Sequence, residues 1–168
     1  MGAFSIIVDE DKGFYRKRDL NIDEVKYLFH RDYKEYSFYS ILSNKKEKYM
    51  LRPRYNESPQ HCFLTFEIAE FLKKFADKVE LFQTKKPDIV FEINGQEWAV
   101  EVETGKFFTS NRKKILEKIR NLKQVYGKNW FFVVTNRNYA SKYSKLGKTY
   151  DKRYIAGRII KIARSVVY

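Results

Sequence analysis

Cysteine, histidine and long apolar runs are scarce in this chain of 168 residues. Cys62 is the one cysteine, so no internal disulfide can form, and a reducing intracellular compartment is favoured. A zinc site needs several Cys or His ligands, and only His61 stands beside Cys62. No apolar run approaches the roughly 18 residues of a membrane-spanning helix, and no signal peptide is recognised. We therefore expect a cytoplasmic protein, and either a small protein or a domain of a longer one.

Several catalytic patterns are missing as well. With 7 glycines and 3 prolines, the chain contains no glycine-rich phosphate-binding loop, no Ser/His/Asp set and no four-ligand zinc pattern. Aromatic residues are abundant instead, with 14 Phe and 13 Tyr. The length and this composition predict one domain with an aromatic-rich core and a small appendage.

Acidic residues are outnumbered by basic ones, 21 to 34, which gives a net charge of +13 and a pI of about 9.7. This balance favours a polyanionic partner, nucleic acid before membrane. The excess is concentrated in residues 137–168, where Asp151 is the only acid. Tyrosines are interleaved with these bases and suit sugar or base contacts. A solvated helix face with the tyrosine rings packed on the sheet is the alternative for this segment, and a lysine-rich solvated surface is the alternative for the overall charge. The expected nucleic-acid contacts are Lys114, Arg137, Lys142, Lys145, Lys148, Lys152 and Arg153.

The hydrophobic periodicity predicts two regions. Residues 1–58 are expected to form a small α+β extension, either a winged-helix remnant or an ordinary decoration, with a helix capped by Asn21 or Asp23. Its predicted strands are 3–9, 36–42 and 47–52, and a loop follows at 53–61. Residues 59–168 form the main domain, with helices predicted at 63–76, 111–126 and 152–166 and strands at 79–82, 88–93, 96–103 and 130–135.

Asn94-Gly95 between two β-rich runs predicts a hairpin, because a type I′ turn needs positive φ at both central residues. This register places Phe91 opposite Trp98 and Asp88 opposite Glu101. Directly opposed carboxylates destabilise a sheet, and a divalent cation between them is the simplest explanation for the pair. Alternation along the strands puts Glu103 on the same face.

Two charged side chains fall inside the apolar stripes of the predicted helices. Glu67 lies in the stripe of the first helix, where a carboxylate is rarely buried without a partner. Lys118 lies in the stripe of the second helix, with Lys114 at its margin, although a lysine there can also extend along apolar surface to solvent.

Pro87-Asp88 followed thirteen residues later by Glu101-Val102-Glu103 resembles the signature of the PD-(D/E)XK nuclease superfamily. The predicted order of elements from Phe63 to Val134 resembles its αβββαβ core. The phrases around 100–105, 118–122 and 133–136 are similar to archaeal, viral and mobile-element branches. The resemblance implies a restriction-endonuclease-like α/β fold, with a mixed central sheet flanked by helices, and a metal-dependent DNA endonuclease.

The resemblance also implies a role for each matching residue. Asp88 and Glu101 would bind Mg²⁺ or Mn²⁺ together with the Val102 carbonyl. Glu67 would match an acid on the first helix that acts through water. Glu103 stands where the motif has its lysine, and would be an extra metal ligand or an ion-pair partner.

In some members of the superfamily the motif lysine lies on the following helix. Lys118 is then the first choice for this chain, Lys114 the second, and Lys86, opposite Glu103 in the register, the third.

Two alternatives to a nuclease stay open at this point. A catalytically inactive nucleic-acid-binding module, in a viral or mobile-element assembly, would suit Glu103 at the lysine position and the high charge. A structural protein with a merely solvated acidic cluster is the other. For a nuclease, DNA or RNA, a branched or single-stranded substrate, and a homodimer are all open.

Overall fold

The computed structural model describes residues 8–9, 11–54, 56–83, 85–106 and 112–165. These residues form a mixed α/β structure with five α-helices and two sheets. The helices are α1 Ile22–His30, α2 Pro59–Leu72, α3 Arg112–Tyr126, α4 Ala140–Tyr143 and α5 Ile155–Ser165. The strands are β1 Phe14–Arg16, β2 Lys34–Tyr39, β3 Lys46–Leu51, β4 Lys78–Leu81, β5 Ile89–Ile93, β6 Gln96–Glu103, β7 Trp130–Val134 and β8 Thr149–Asp151. The strand predicted at 3–9 falls mostly outside the described residues.

The N-terminal region is a three-stranded antiparallel sheet, in the order β1-β3-β2, with α1 beside it. Asn21 caps α1, because its side chain accepts hydrogen bonds from the Asp23 and Glu24 amides. The Glu24 carboxylate accepts one from the Asn21 amide, which completes a capping box. The small sheet packs on α2 through aromatic contacts, among them Phe38 stacked on Phe63 with ring centroids 4.4 Å apart. The extension and the main domain therefore share α2 as a packing surface.

Helix α2 begins at Pro59, four residues earlier than its apolar pattern predicts. The loop predicted at 53–61 therefore extends too far into the helix. The Ser58 hydroxyl caps the helix by accepting a hydrogen bond from the His61 amide at 3.2 Å, and Pro59 occupies the first turn. Serine before proline is a good helix start. Hydrophobic periodicity indicates the helix only from the point where its apolar residues begin. The earlier start places His61 on the helix.

The five-stranded sheet has the order β4-β5-β6-β7-β8. Strands β4, β5 and β6 are antiparallel, whereas β6, β7 and β8 are parallel, so the predicted mixed sheet flanked by helices is confirmed. Strand β8 was not predicted, since its three residues lie in a polar, basic segment without apolar alternation. The last helix begins at Ile155 rather than at 152 because residues 152–154 form a turn after β8.

The β5–β6 hairpin has the predicted register. Phe91 pairs with Trp98 and Ile89 with Val100. Asn94 and Gly95 have φ values of 51° and 73°, as a type I′ turn requires. Asp88 stands immediately before β5, so the next pair in the same register is Asp88 with Glu101.

Both faces of the five-stranded sheet are buried. Ile89, Phe91, Val100 and Phe131 point to the side covered by α2 and α5. The opposite side is covered by α3 and α4, through a cluster that consists of Ala99, Ile115, Ile119, Leu122, Trp130, Phe132, Val134 and Tyr143. Glu101 and Glu103 lie on this second side and are buried, whereas Glu97 near the turn is exposed.

Replacing Gly157 by alanine should raise the free energy of unfolding by about 0.5–1 kcal/mol, because glycine loses more backbone entropy than alanine when the helix forms. A Cβ at Gly157 in α5 meets nothing within 4 Å. Gly147→Ala is the matched control and should be destabilising, because its Cβ would stand 2.3 Å from the buried Trp130 ring. Urea unfolding measures both; a less stable Gly157→Ala would contradict the helix at this position.

Candidate active site

Three predicted site residues meet at the end of the hairpin away from its turn. Glu101 on β6 is 1% exposed and forms an ion pair with the Lys118 ammonium of α3. Asp88 stands beside them, and its Oδ2 accepts a hydrogen bond from the Val102 amide at 2.8 Å. The hairpin register and the inward stripe of α3 thus bring Asp88, Glu101 and Lys118 together.

Glu101 is held in an environment that disfavours its charge. Burial raises the pKa of its carboxyl well above the usual value, and the negative charge of Asp88 raises it further. Lys118 opposes both effects. Burial would lower the pKa of Lys118 itself, but Glu101 and Asp88 outweigh it, so the pKa of the ammonium is raised and Lys118 stays charged at neutral pH.

Asp88 has a second cationic neighbour that the sequence did not indicate. The His61 Nε2 lies 3.3 Å from Asp88 Oδ2, and the Nδ1 lies 3.2 Å from Glu57 Oε2. Burial of the ring disfavours its charge, but hydrogen bonds with Asp88, Cys62 and Glu57 outweigh this and raise the pKa of His61 to about 11. Burial also works against the charge of Asp88, yet His61 keeps the pKa of that carboxyl below its usual value.

The sequence did not predict a place for His61 in this site, where both of its ring nitrogens have carboxylate partners. The signal that could have found it is Ser58-Pro59, which places His61 in the first turn of α2. Arg54 continues the chain of contacts, since its Nη2 lies 2.8 Å from Glu57 Oε2. Glu57 and Arg54 thereby fix the ring that positions Asp88.

Glu103 is buried, and its partner is Tyr143 of α4. The Tyr143 hydroxyl donates a hydrogen bond to Glu103 Oε2 at 2.8 Å. Burial raises the pKa of Glu103, while Lys118 partly offsets it. The proposed pairing with Lys86 is not found among the described residues, because the Lys86 ammonium lies over the Phe82 ring, 4.4 Å from its centroid.

Glu67 is buried as expected but stands elsewhere. Its carboxylate accepts hydrogen bonds from the Ser40 hydroxyl and, at 2.9 Å, from the Ile41 amide. It therefore joins α2 to the turn after β2, and the expected role beside Asp88 and Glu101 is not supported. The helical wheel placed Glu67 inward correctly, but this turn of α2 faces the small sheet.

The fit of the site to a divalent cation rests on its oxygen atoms. Within the described ranges, the buried Oε1 atoms of Glu101 and Glu103 have no hydrogen-bond partner. The same ranges contain no group of three or more His, Cys, Asp and Glu side chains arranged to hold a metal. Two carboxylates and the Val102 carbonyl are hard oxygen donors, and Mg²⁺ keeps several waters of its own. These oxygen donors are of the kind that an open Mg²⁺ or Mn²⁺ site uses, and the described ranges show no closed cage.

Two cavities meet at Lys118, which lines both. The first, of about 370 Å³, is bordered by His61, Asp88, Val102 and Glu103. The second, of about 290 Å³, is bordered by Glu101. Asp88 and Glu101 thus each border one of two cavities that are large enough for parts of a ligand.

The predicted nucleic-acid contacts are mostly at the surface, and their role stays a prediction. Lys114, Arg137, Lys142, Lys145, Lys148 and Arg153 are exposed, whereas Lys152 is half-buried, over the Tyr39 ring. The tyrosines divide between the two expectations, since Tyr143 is buried and Tyr154 is 63% exposed. Across the described residues, no helix combines the length and apolarity needed to cross a bilayer.

Removing Lys118 should destabilise the protein, because Glu101 would be left buried beside Asp88 without compensation. Lys118→Met is expected to lower the free energy of unfolding by roughly 3 kcal/mol, the lower end for a broken buried pair. The double variant with Glu101→Gln should recover most of this loss. Urea unfolding of both variants tests the coupling, and equal losses would contradict it.

Glu67→Gln should change how stability depends on pH. Burial raises the pKa of Glu67, although the Ser40 hydrogen bond opposes it, so folding favours the protonated form. Its contribution is present below the unfolded pKa of about 4.3 and is lost as pH rises through the folded pKa. The difference in unfolding free energy should therefore shift in favour of Glu67→Gln between pH 4 and 8, and parallel profiles would refute this.

Known proteins offer no independent guide to this site. The chain matches no family model, and its comparison with curated proteins and with solved structures finds no significant match. The interpretation of the site therefore rests on its residues and their geometry.

Proposed function

We propose that this protein is a metal-dependent DNA endonuclease that hydrolyses phosphodiester bonds on a restriction-endonuclease-like core of the PD-(D/E)XK kind. The observation that carries the proposal is the convergence of Asp88, Glu101 and Lys118 beside two cavities. The order of α2, β4, β5, β6, α3 and β7 supports it, because this order resembles the αβββαβ core.

Each residue has a distinct task in this proposal. Asp88 and Glu101, with the Val102 carbonyl, would hold Mg²⁺ or Mn²⁺. When bound, the cation would acidify water and offset negative charge on the phosphate. Lys118 offsets charge that develops on the phosphate and restrains the Glu101 carboxylate. His61 positions Asp88, and its own orientation depends on Glu57.

In this proposal Lys118 supplies the positive charge of the motif lysine, whose position is occupied by Glu103 in this chain. The motif would place this ammonium on β6, whereas in this chain it comes from α3 and pairs with Glu101. Glu103 is engaged by Tyr143, so one of its oxygens is fixed and the other remains for a water or cation. The net charge of +13 supplies the attraction for a polyanionic substrate.

A nucleic-acid-binding module without catalysis is the second candidate. The ion pairs of Asp88 with His61 and of Glu101 with Lys118 favour it, because they offset the negative charge without a metal. Such a module would bind DNA with a steep salt dependence and would show no metal site involving Asp88.

Asp88→Asn and Glu101→Gln should each reduce Mn²⁺-dependent DNA cleavage by at least about 100-fold, because each removes a charged ligand from the reacting centre. Both keep the size of the side chain, so circular dichroism and the melting temperature should show a folded protein. Glu92→Gln is the matched control: Glu92 lies on the same hairpin near the turn, opposite Glu97, and its variant should cleave normally.

Calorimetric titration of Mn²⁺ separates the two candidates. Binding to the wild type that is lost in Asp88→Asn supports the nuclease. Salt-sensitive DNA binding without metal binding, and without cleavage of any DNA or RNA form, supports the binding module and contradicts the catalytic proposal.

A further inference from the structure

We propose that the cavity between α3 and the β4–β5 edge of the sheet receives an unpaired nucleobase, so that the substrate is DNA with unpaired nucleotides at the point of cleavage. This inference deepens the proposed nuclease function and rests on it. The cavity has a volume of about 290 Å³, at the small end for ligand pockets. It has room for one ring system.

The position of the cavity connects it to the chemistry. Glu101 and Lys118 form part of its wall, and Pro87, which precedes Asp88, forms another part. A nucleotide that places its base here has its phosphate near Lys118, the residue shared with the cavity that Asp88 borders. The base cavity and the reacting phosphate would therefore be one nucleotide apart.

The cavity exists because α3 does not cover the whole sheet. Helix α3 packs over Ala99 and Phe132 of β6 and β7, and the groove opens where β5 and the edge strand β4 extend beyond it. Val125 of α3 borders this groove and is 67% exposed, although it follows the apolar stripe of the helix. An exposed apolar side chain at this place leaves room for the apolar surface of a ligand to pack on it.

The walls suit a flat, neutral ring. Phe82 and Tyr126 provide aromatic surface, and Leu122 and Val125 provide aliphatic surface. Nucleobases stack on such side chains whatever their sequence. Asn121 adds an amide that can hydrogen-bond to a base edge.

The charges on the cavity wall balance, which suits a neutral occupant better than an anion. Three carboxylates and three ammoniums border the cavity: Glu80, Glu97 and Glu101, and Lys85, Lys86 and Lys118. Lys85 and Lys86 are exposed, and the Lys86 ammonium lies over the Phe82 ring. A neutral base inside, with the strand's phosphates at these lysines, satisfies both sets of charges.

Val125→Trp tests the proposal by filling the cavity, with Leu116→Trp as the matched control. Leu116 is 45% exposed on the same helix and does not border the cavity. With Mn²⁺, the wild type should cleave single-stranded or mismatched DNA at least tenfold faster than fully paired duplex. Val125→Trp should bring this ratio close to one, and Leu116→Trp should keep it. An unchanged ratio in a folded Val125→Trp variant overturns the proposal.

A metal-free binding measurement keeps this test separate from the test of catalysis. A single-stranded oligonucleotide with 2-aminopurine should lose fluorescence on binding, because the base stacks on Phe82 or Tyr126. Phe82→Ala should restore at least half of the lost fluorescence, whereas Phe75→Ala, an exposed aromatic away from the cavity, should not.

The outcomes of the two measurements are distinct. If no DNA form is cleaved, the nuclease proposal fails, while 2-aminopurine fluorescence that is restored in Phe82→Ala and Val125→Trp still supports the base cavity. Equal quenching in all variants overturns the base cavity even if cleavage is observed. Concentration-dependent dimerisation that Val125→Trp abolishes would make a second copy the occupant and would also overturn it.

Discussion

The burial of Glu101 next to Asp88 is the constraint on which the site depends. Two neighbouring carboxylates at the covered end of a sheet cannot both be charged without nearby positive charge. The fold supplies that charge from two directions, with Lys118 of α3 at Glu101 and His61 of α2 at Asp88. The arrangement uses both helices that flank the hairpin, so the site exists only when the main domain is folded.

The same constraint means that a divalent cation could take the place of Lys118 and His61 as the positive charge beside these carboxylates. Glu101 and Glu103 each keep one buried oxygen without a hydrogen-bond partner in the described part of the chain. A folded protein usually satisfies buried polar atoms, and exceptions point to a water or an ion. Lys118 and Tyr143 hold the carboxylates of Glu101 and Glu103 in place beside a cavity. Metal-assisted hydrolysis needs carboxylate oxygens that are positioned in this way.

The local features of this fold could be predicted, and the contacts between distant elements could not. Asn94-Gly95 determines the hairpin register through backbone conformation alone, and it correctly aligned the acids. The helical period likewise placed Lys118 and Glu67 inward. It could not say which neighbour each side chain meets, so Glu67 was expected beside Asp88 although it contacts Ser40. His61 was missed because apolar periodicity places the start of α2 too late, and Tyr143 because its partner Glu103 lies 40 residues away in sequence.

The most direct test of the central claim is the anomalous scattering of Mn²⁺ in crystals of the wild-type protein. We expect a peak between Asp88 and Glu101, about 2.0–2.3 Å from an oxygen of each carboxylate. In these crystals we expect the Lys118 ammonium either to move away from Glu101 or to stay at the edge of the site. Crystals in Mn²⁺ that show no peak there, with Lys118 still paired to Glu101, would contradict the account.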